Sequence, residues 1–129
     1  MAFYRSRSTK KYGNKKTVLN GIEFSSMLEA SLYSHLISEL YKKANNVKAV
    51  ECQPKIYLTD AKILMKPDFK IIRNDETFYF VEAKGAETTI YKLKKKLWPH
   101  YASQPLHVYK GSARKIYLDE IINPVVKLK

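Results

Sequence analysis

Residues 67–85, PDFKIIRNDETFYFVEAKG, constrain the fold most, because two runs of β-forming residues flank a short polar turn. The stretch therefore predicts an antiparallel hairpin with strands near 67–72 and 77–83 and a turn at 74–76. Three charged residues, Asp68, Glu82 and Lys84, interrupt its ends. A buried hairpin has no structural need for them, so they are candidates for a function.

Hairpin geometry relates these three residues to one another. The start of one antiparallel strand meets the end of its partner, which places Asp68 near Glu82. Side chains two residues apart share a face of a strand, so Glu82 and Lys84 point the same way. Two close carboxylates repel unless a cation joins them, and oxygen ligands suit Mg²⁺. The sequence predicts a magnesium site, to which the backbone carbonyl of Ala83 could add an oxygen, with the Lys84 amine beside it.

A fourth candidate, Glu29, lies in a predicted helix over residues 25–46, where leucines recur every fourth residue from 28 to 40. Glu29 falls in the middle of this apolar arc, so its carboxylate is expected to face the core. The alternative is a capping box, because Ser26-x-x-Glu29 has the required spacing. The two interpretations do not exclude each other.

The remaining elements complete a mixed α/β architecture. Asn20-Gly21 predicts a hairpin over residues 17–24. A strand or strand pair broken at Pro54, a second helix over 88–102, a strand over 106–110 and a helix or strand over 115–122 follow. The second helix is expected to begin at Thr88 or Thr89, to kink or stop near Pro99, and to bury a stripe formed by Ile90, Leu93, Leu97 and Tyr101.

The charge of the chain points to a polyanionic partner. Its 24 Lys and Arg against 12 Asp and Glu give a net charge of +12, which favours nucleic acid over a membrane surface. Residues 1–16 are expected to form a flexible basic arm that contacts phosphates, and residues 17–129 a single domain. The candidate nucleic-acid contacts in the arm are Arg5, Arg7, Lys10, Lys11, Lys15 and Lys16.

Cysteine and histidine usage indicates the compartment and argues against zinc. A single cysteine, Cys52, excludes an intrachain disulfide, and we expect it to be buried in its apolar run. The three histidines lack metal-site spacing. No apolar stretch has the length of a signal peptide or membrane span, so a cytoplasmic location is expected.

The pattern of Glu29, Pro67-Asp68 and Glu82-Ala83-Lys84 resembles the PD-(D/E)XK nuclease superfamily. That superfamily has an acid on its first core helix, an acid opening its second strand and an E-x-K on its third. The predicted order over about residues 25–110 also resembles its restriction-endonuclease-like αβββαβ core, a mixed central sheet flanked by helices. The segments YGNKKTVLNGIEFSSMLEA, CQPK and YKLKKKLW are similar to a small group of phage and prophage proteins within it.

The resemblance implies metal-dependent hydrolysis of phosphodiester bonds. Asp68, Glu82 and the Ala83 carbonyl would bind Mg²⁺, for which Mn²⁺ could substitute. Lys84 would position the attacking water, and Glu29 would bind the metal through water or hold a second metal. Gln53 would face the site and contact nucleic acid, although an ordinary polar residue at a strand end is the simpler interpretation. The second helix would flank the DNA backbone with Lys92, Lys94, Lys95 and Lys96. A run of charges is usually a solvated face, but this run directly follows the strand that carries Glu82.

Within the superfamily, a short and very basic chain resembles Holliday-junction resolvases and other branched-DNA endonucleases most. Symmetrical cutting of two strands needs two sites, so a homodimer is expected, working in the host cytoplasm if the chain is phage-encoded. Exonucleases and sequence-specific endonucleases remain alternatives. A rival from another class is a non-catalytic DNA- or RNA-binding protein with structural acids.

Overall fold

The hairpin predicted from residues 67–85 forms the centre of the protein. In the computed structural model, which describes residues 17–125, it consists of β6 (Phe69–Arg73) and β7 (Phe78–Ala83). The two strands pair antiparallel with Phe69 opposite Val81. The run of consecutive large apolar side chains in β7 explains its central position, because a strand covered on both faces buries nearly every residue.

Three further strands complete a five-stranded mixed sheet in the order β3-β6-β7-β8-β9. The added strands are β3 (Val47–Cys52), β8 (Leu106–Gly111) and β9 (Ile116–Ile122). Only β7 and β8 run parallel, and the helix α3 (Thr89–Tyr101) connects them as a crossover. The predicted mixed α/β fold is therefore confirmed, and the segment near 115–122 is a strand.

Two small hairpins lie outside the central sheet. The first joins β1 (Thr17–Leu19) to β2 (Ile22–Phe24) through Asn20 and Gly21, whose φ angles are 52° and 78°. Positive φ at both central residues is the geometry that an Asn-Gly turn favours, so this prediction is confirmed. The second hairpin pairs β4 (Ile56–Leu58) with β5 (Ile63–Met65) and is inserted between β3 and β6.

The single long helix predicted over residues 25–46 is wrong in one respect. The segment forms α1 (Met27–Ile37) and α2 (Glu39–Asn45), separated at Ser38, whose ψ is 148°. Ser38 ends α1 and caps α2, because its hydroxyl donates to the His35 carbonyl and accepts from the Tyr41 N–H. After this change of direction Leu40 points to solvent and is 83% exposed.

Helix α3 starts as predicted, with Thr88 accepting a hydrogen bond from the Tyr91 N–H, but its buried face is not the predicted one. Ile90, Leu93 and Tyr101 are each more than half exposed, whereas Tyr91 and Trp98 are buried. Of the predicted stripe, only Leu97 packs partly against the cluster that contains these two large rings. Pro99 lies within the helix, which ends two residues later.

Two apolar clusters cover the two faces of the sheet. One packs α1 and the first hairpin against Tyr79 and Val81 of β7. The other packs α3 and the β4–β5 hairpin around Phe80, whose ring meets the Trp98 ring edge-on at 5.5 Å. Between residues 17 and 125 no helix is long and apolar enough to cross a membrane.

Candidate functional site

Asp68 and Glu82 come together at the end of the two central strands. Phe69 opposite Val81 is the last pair of the β6–β7 ladder, and Asp68 and Glu82 are the next residues outward. The Asp68 carboxylate is oriented by the Ala83 N–H, which donates to Oδ2 at 2.8 Å. Glu82 is only 6% exposed. The structure thus brings together the two carboxylates that hairpin geometry predicts to be neighbours.

These acids are held in an environment that opposes their ionisation. Burial raises the pKa of Asp68 well above its ordinary value, and the charges of Glu29 and Glu82 raise it further. Burial also raises the pKa of Glu82, although Tyr91 and Lys84 partly offset the rise. Binding of protons or of a cation can remove the electrostatic repulsion within such a group of carboxylates.

Glu29 reaches the same place from α1. The helix begins with Ser26 as its cap, whose hydroxyl accepts from the Glu29 N–H at 3.1 Å. The Glu29 side chain is nevertheless buried, and its Oε1 accepts a 2.6 Å hydrogen bond from the Ser25 hydroxyl. The core-facing prediction is therefore confirmed, and the capping box is half formed. Ser26 caps the helix, but the Glu29 carboxylate bonds to the Ser25 hydroxyl.

Lys84 and Glu82 share a neighbour, Tyr91, that the sequence did not single out as functional. The Lys84 ammonium lies 4.3 Å from the centre of the Tyr91 ring, a cation–π contact that holds the amine beside Glu82. Burial raises the pKa of Tyr91, and the charge of Glu82 raises it further. In the sequence, Tyr91 could have been recognised by its spacing of seven residues from Trp98, which places both rings on one face of the helix.

Two buried polar atoms at this point lack a hydrogen bond of ordinary geometry to any described residue. They are Oε2 of Glu82 and the hydroxyl of Tyr91. Leaving a buried polar group unpaired costs roughly 1–3 kcal/mol. The Tyr91 hydroxyl is nevertheless close enough to Glu82 for a hydrogen bond between them to lower the pKa of Glu82. The two atoms are therefore imperfectly paired with each other, which makes them candidates for a functional site.

The fit of a metal ion to these residues is partial. Within residues 17–125 no group of three or more His, Cys, Asp or Glu side chains is arranged closely enough to hold a metal ion. The unpaired Glu82 oxygen and the mutual repulsion with Asp68 do fit a divalent cation with few protein ligands. Mg²⁺ is commonly held by one or two carboxylates and keeps several waters. Participation of the Ala83 carbonyl and of Glu29 stays a prediction.

Cys52 and Gln53 lie at the rim of this site. Burial of Cys52 was a wrong prediction, since the residue is exposed at the end of the edge strand β3. Partial burial is the main reason why the pKa of its thiol is raised, and the charges of Glu29 and Asp68 raise it further. The thiol therefore lies near both acids. Gln53 has a φ of 52°, and its N–H donates to the Asp68 carbonyl at 2.7 Å. Its backbone therefore helps to hold Asp68 in position.

The lysines predicted to bind nucleic acid differ in their surroundings. Lys94 lies close enough for its charge to lower the pKa of Glu82, and Lys92 and Lys96 are exposed. The amine of Lys95 instead contacts Glu87 at 3.0 Å and Glu120 at 2.7 Å. These two ion pairs favour a structural role for Lys95, and its contact with nucleic acid stays a prediction. Arg5, Arg7, Lys10, Lys11, Lys15 and Lys16 lie outside the described residues.

Comparison with known proteins gives a family but no activity. No curated protein and no solved structure matches the chain. A family model described as "Protein of unknown function (DUF1064)" matches residues 9–116, which is most of the 129-residue chain. The chain therefore belongs to the DUF1064 family.

Proposed function

We propose that this protein is a metal-dependent DNA endonuclease that hydrolyses phosphodiester bonds, with branched DNA such as a four-way junction as its substrate. One observation carries the proposal. The half-buried Asp68 and the buried Glu82 lie side by side at the ends of β6 and β7, with a Glu82 oxygen that has no well-formed hydrogen bond and the Lys84 amine held next to it. This arrangement agrees with the resemblance to PD-(D/E)XK nucleases.

The residues present suggest a division of roles. Asp68 and Glu82 would hold Mg²⁺ or Mn²⁺ directly, with the Ala83 carbonyl and Glu29 as further ligands, directly or through water. The ion would supply Lewis acidity toward a phosphate oxygen and lower the pKa of its bound water. Lys84 would neutralise the scissile phosphate or orient the attacking water, and the Tyr91 ring limits where its amine can go. The Ala83 N–H keeps the Asp68 carboxylate oriented.

The preference for DNA rests on charge. The chain carries a net charge of +12, and the exposed Lys92 and Lys96 of α3 follow β7 along the chain. Neutralising phosphates releases counterions and gives salt-dependent affinity. The branched substrate, and the homodimer needed to cut two strands symmetrically, rest on the resemblance to junction resolvases.

A cleavage assay tests the proposal directly. Labelled four-way junctions, flaps and linear single and double strands are incubated with the protein and Mg²⁺, Mn²⁺ or a chelator. We expect junction cleavage with either metal, and a loss of at least about a hundredfold in Asp68→Asn, Glu82→Gln and Lys84→Gln, since each removes a group acting at the reacting phosphate. Glu39→Gln, at an exposed acid of α2, is the matched control.

Two results would contradict the proposal. One is that no substrate is cut with either metal. The other is that cutting survives both Asp68→Asn and Glu82→Gln at the level of the Glu39→Gln control.

A second candidate, a non-catalytic nucleic-acid-binding protein, is favoured by the absence of a three-ligand group within residues 17–125. In that case Asp68→Asn and Glu82→Gln would bind DNA as the unmodified protein does. Binding without cleavage under every metal condition would select this candidate over the nuclease.

A further inference from the structure

The β4–β5 hairpin has two faces with different compositions. Its inner face carries Leu58 and Met65, which are buried in the cluster around Trp98. Opposite residues of an antiparallel pair share a face, and alternate residues change face. Tyr57 and Leu64 therefore form the centre of the outer face, where Tyr57 is 56% exposed.

Lysines surround this exposed ring. Continuing the same register, Lys55 and Lys66 flank Tyr57 and Leu64 at one end of the outer face, and Lys62 lies at the turn. All three lysines are exposed, and none forms an ion pair with another described residue. The one acid of the hairpin is Asp60, in the turn itself. We name the outer face, comprising Lys55, Tyr57, Lys62, Leu64 and Lys66, the hairpin strip.

The hairpin strip leads to the acidic site. Lys66 precedes Asp68 by two residues, and Lys55 follows Gln53 by two residues. Gln53 and Asp68 are joined by a 2.7 Å backbone hydrogen bond at the base of the hairpin. The open end of the strip is therefore two residues along the chain from Asp68 and from Gln53, beside the acidic site.

We propose that the hairpin strip binds an unpaired segment of a DNA strand and directs it toward Asp68 and Glu82. A base would stack on the Tyr57 ring, and the lysines would contact the flanking phosphates. Aromatic rings interleaved with basic side chains are the combination that binds single strands without sequence preference. This inference rests on the proposed function and adds to it the part of the substrate recognised beside the site.

An unpaired segment suits the strip better than a duplex for a geometric reason. A half-exposed ring on a flat strand face can stack only on a base whose face is free, and duplex bases present only their edges in the grooves. Among branched DNAs, flaps offer unpaired bases at their branch points. The one acid of the hairpin, Asp60, lies in the turn, at the opposite end from Lys55 and Lys66, so phosphates bound by these two lysines lie away from it.

The test measures binding by the full-length chain in the presence of a chelator, so that no cleavage occurs. The probes are a fluorescein-labelled oligothymidylate and a blunt duplex of the same length, followed by fluorescence anisotropy. We expect Tyr57→Ala to weaken single-strand binding by about 5-fold to 150-fold, the range that loss of one stacked base produces. Tyr57→Phe should keep the wild-type affinity, because its ring is retained.

Charge substitutions give a second, independent measurement. The double variant Lys55→Gln/Lys66→Gln should make the negative slope of log affinity against log salt shallower. The change should be about 0.7 for each phosphate that the protein no longer neutralises. The matched controls are Tyr117→Ala, at a ring of β9 that is 50% exposed, and Lys43→Gln/Lys115→Gln at two exposed lysines elsewhere. Circular dichroism confirms folding, which outer-face substitutions should not alter.

The inference is overturned if Tyr57→Ala binds oligothymidylate as Tyr117→Ala does, or if it loses affinity for single strand and duplex equally. Its failure is distinct from that of the proposed function. Cleavage without any effect of Tyr57→Ala on binding overturns only the inference. Tyr57-dependent binding without cleavage by the unmodified protein overturns only the nuclease.

Discussion

At the scale of single residues, Asp68 shows how local hydrogen bonding and electrostatics oppose each other. The Ala83 N–H stabilises its ionised form, yet burial and the charges of Glu29 and Glu82 outweigh that contribution and raise its pKa. Without a bound cation the ionised acid destabilises the fold. Sites that bind ligands commonly carry such a cost.

This balance predicts that Asp68→Asn stabilises the metal-free protein at neutral pH. Because the folded pKa exceeds the unfolded value of about 3.9, the native state binds more protons between the two values, and the free energy of unfolding falls as pH rises through that window. The substitution should add about 1.4 kcal/mol for each unit by which the pKa is raised. Urea unfolding at a series of pH values, with chelator, measures this.

The gain should vanish below about pH 4, where Asp68 is protonated in both states. The exposed Asp60→Asn provides the control. An Asp68→Asn variant that is no more stable than the unmodified protein at pH 7 would show that the carboxylate is not destabilising.

At the scale of secondary-structure elements, the break between α1 and α2 turns the chain at a position that periodicity does not reveal. Leucines continue at a spacing of four across Ser38, but Leu32 and Leu36 before it are buried and Leu40 after it is exposed. The turn lets Tyr41 of α2 reach the sheet, where its hydroxyl forms a 2.5 Å hydrogen bond with that of Tyr79. A pattern within one segment cannot report a contact with a strand 38 residues away.

We predict that Ser38→Ala lowers the free energy of unfolding by about 1 kcal/mol, the usual cost of losing an N-cap. The side chain makes both the bond that ends α1 and the bond that starts α2. Ser34→Ala, at an exposed position within α1, should be neutral or slightly stabilising, because alanine is the better helix former. Equal effects of the two substitutions in urea unfolding would contradict the capping role.

At the scale of the whole molecule, the candidate site joins elements that are far apart in the chain. Glu29 comes from α1, Asp68 from the start of β6, Glu82 from β7 and the covering Tyr91 from α3. A ligand bound there would connect the helices on the two faces of the sheet. Binding to the folded state alone stabilises it by mass action.

We therefore predict that Mn²⁺ or Mg²⁺ raises the thermal unfolding midpoint of the protein without DNA. A metal concentration of one hundred times the dissociation constant should raise the free energy of unfolding by about 2.7 kcal/mol. Glu39→Gln should respond as the unmodified protein does, and Asp68→Asn and Glu82→Gln should not respond. A metal-induced shift of equal size in all four proteins, measured by calorimetry, would place the ion elsewhere.

The features that the sequence predicts correctly depend on short separations along the chain. The Asn20-Gly21 turn, the β6–β7 hairpin and the proximity of Asp68 to Glu82 follow from turn chemistry and strand alternation within about twenty residues. The inward position of Glu29 follows in the same way from helical periodicity. These local rules also suggested the candidate carboxylates, because a charge at an apolar position is visible before the fold is known.

The tertiary structure alone decided which of several amphipathic alternatives is buried. It turned α3 so that Tyr91 and Trp98 face the sheet, paired Lys95 with Glu87 and Glu120, and left Cys52 exposed at a sheet edge. It also placed the hairpin strip beside the acids. Each outcome depends on how much area is buried, and which charges meet, between segments that are distant in the chain. Local sequence patterns do not report which distant segments come into contact. The sequence by itself determined the acids and the strand pair that carries them, and the tertiary structure determined what surrounds them.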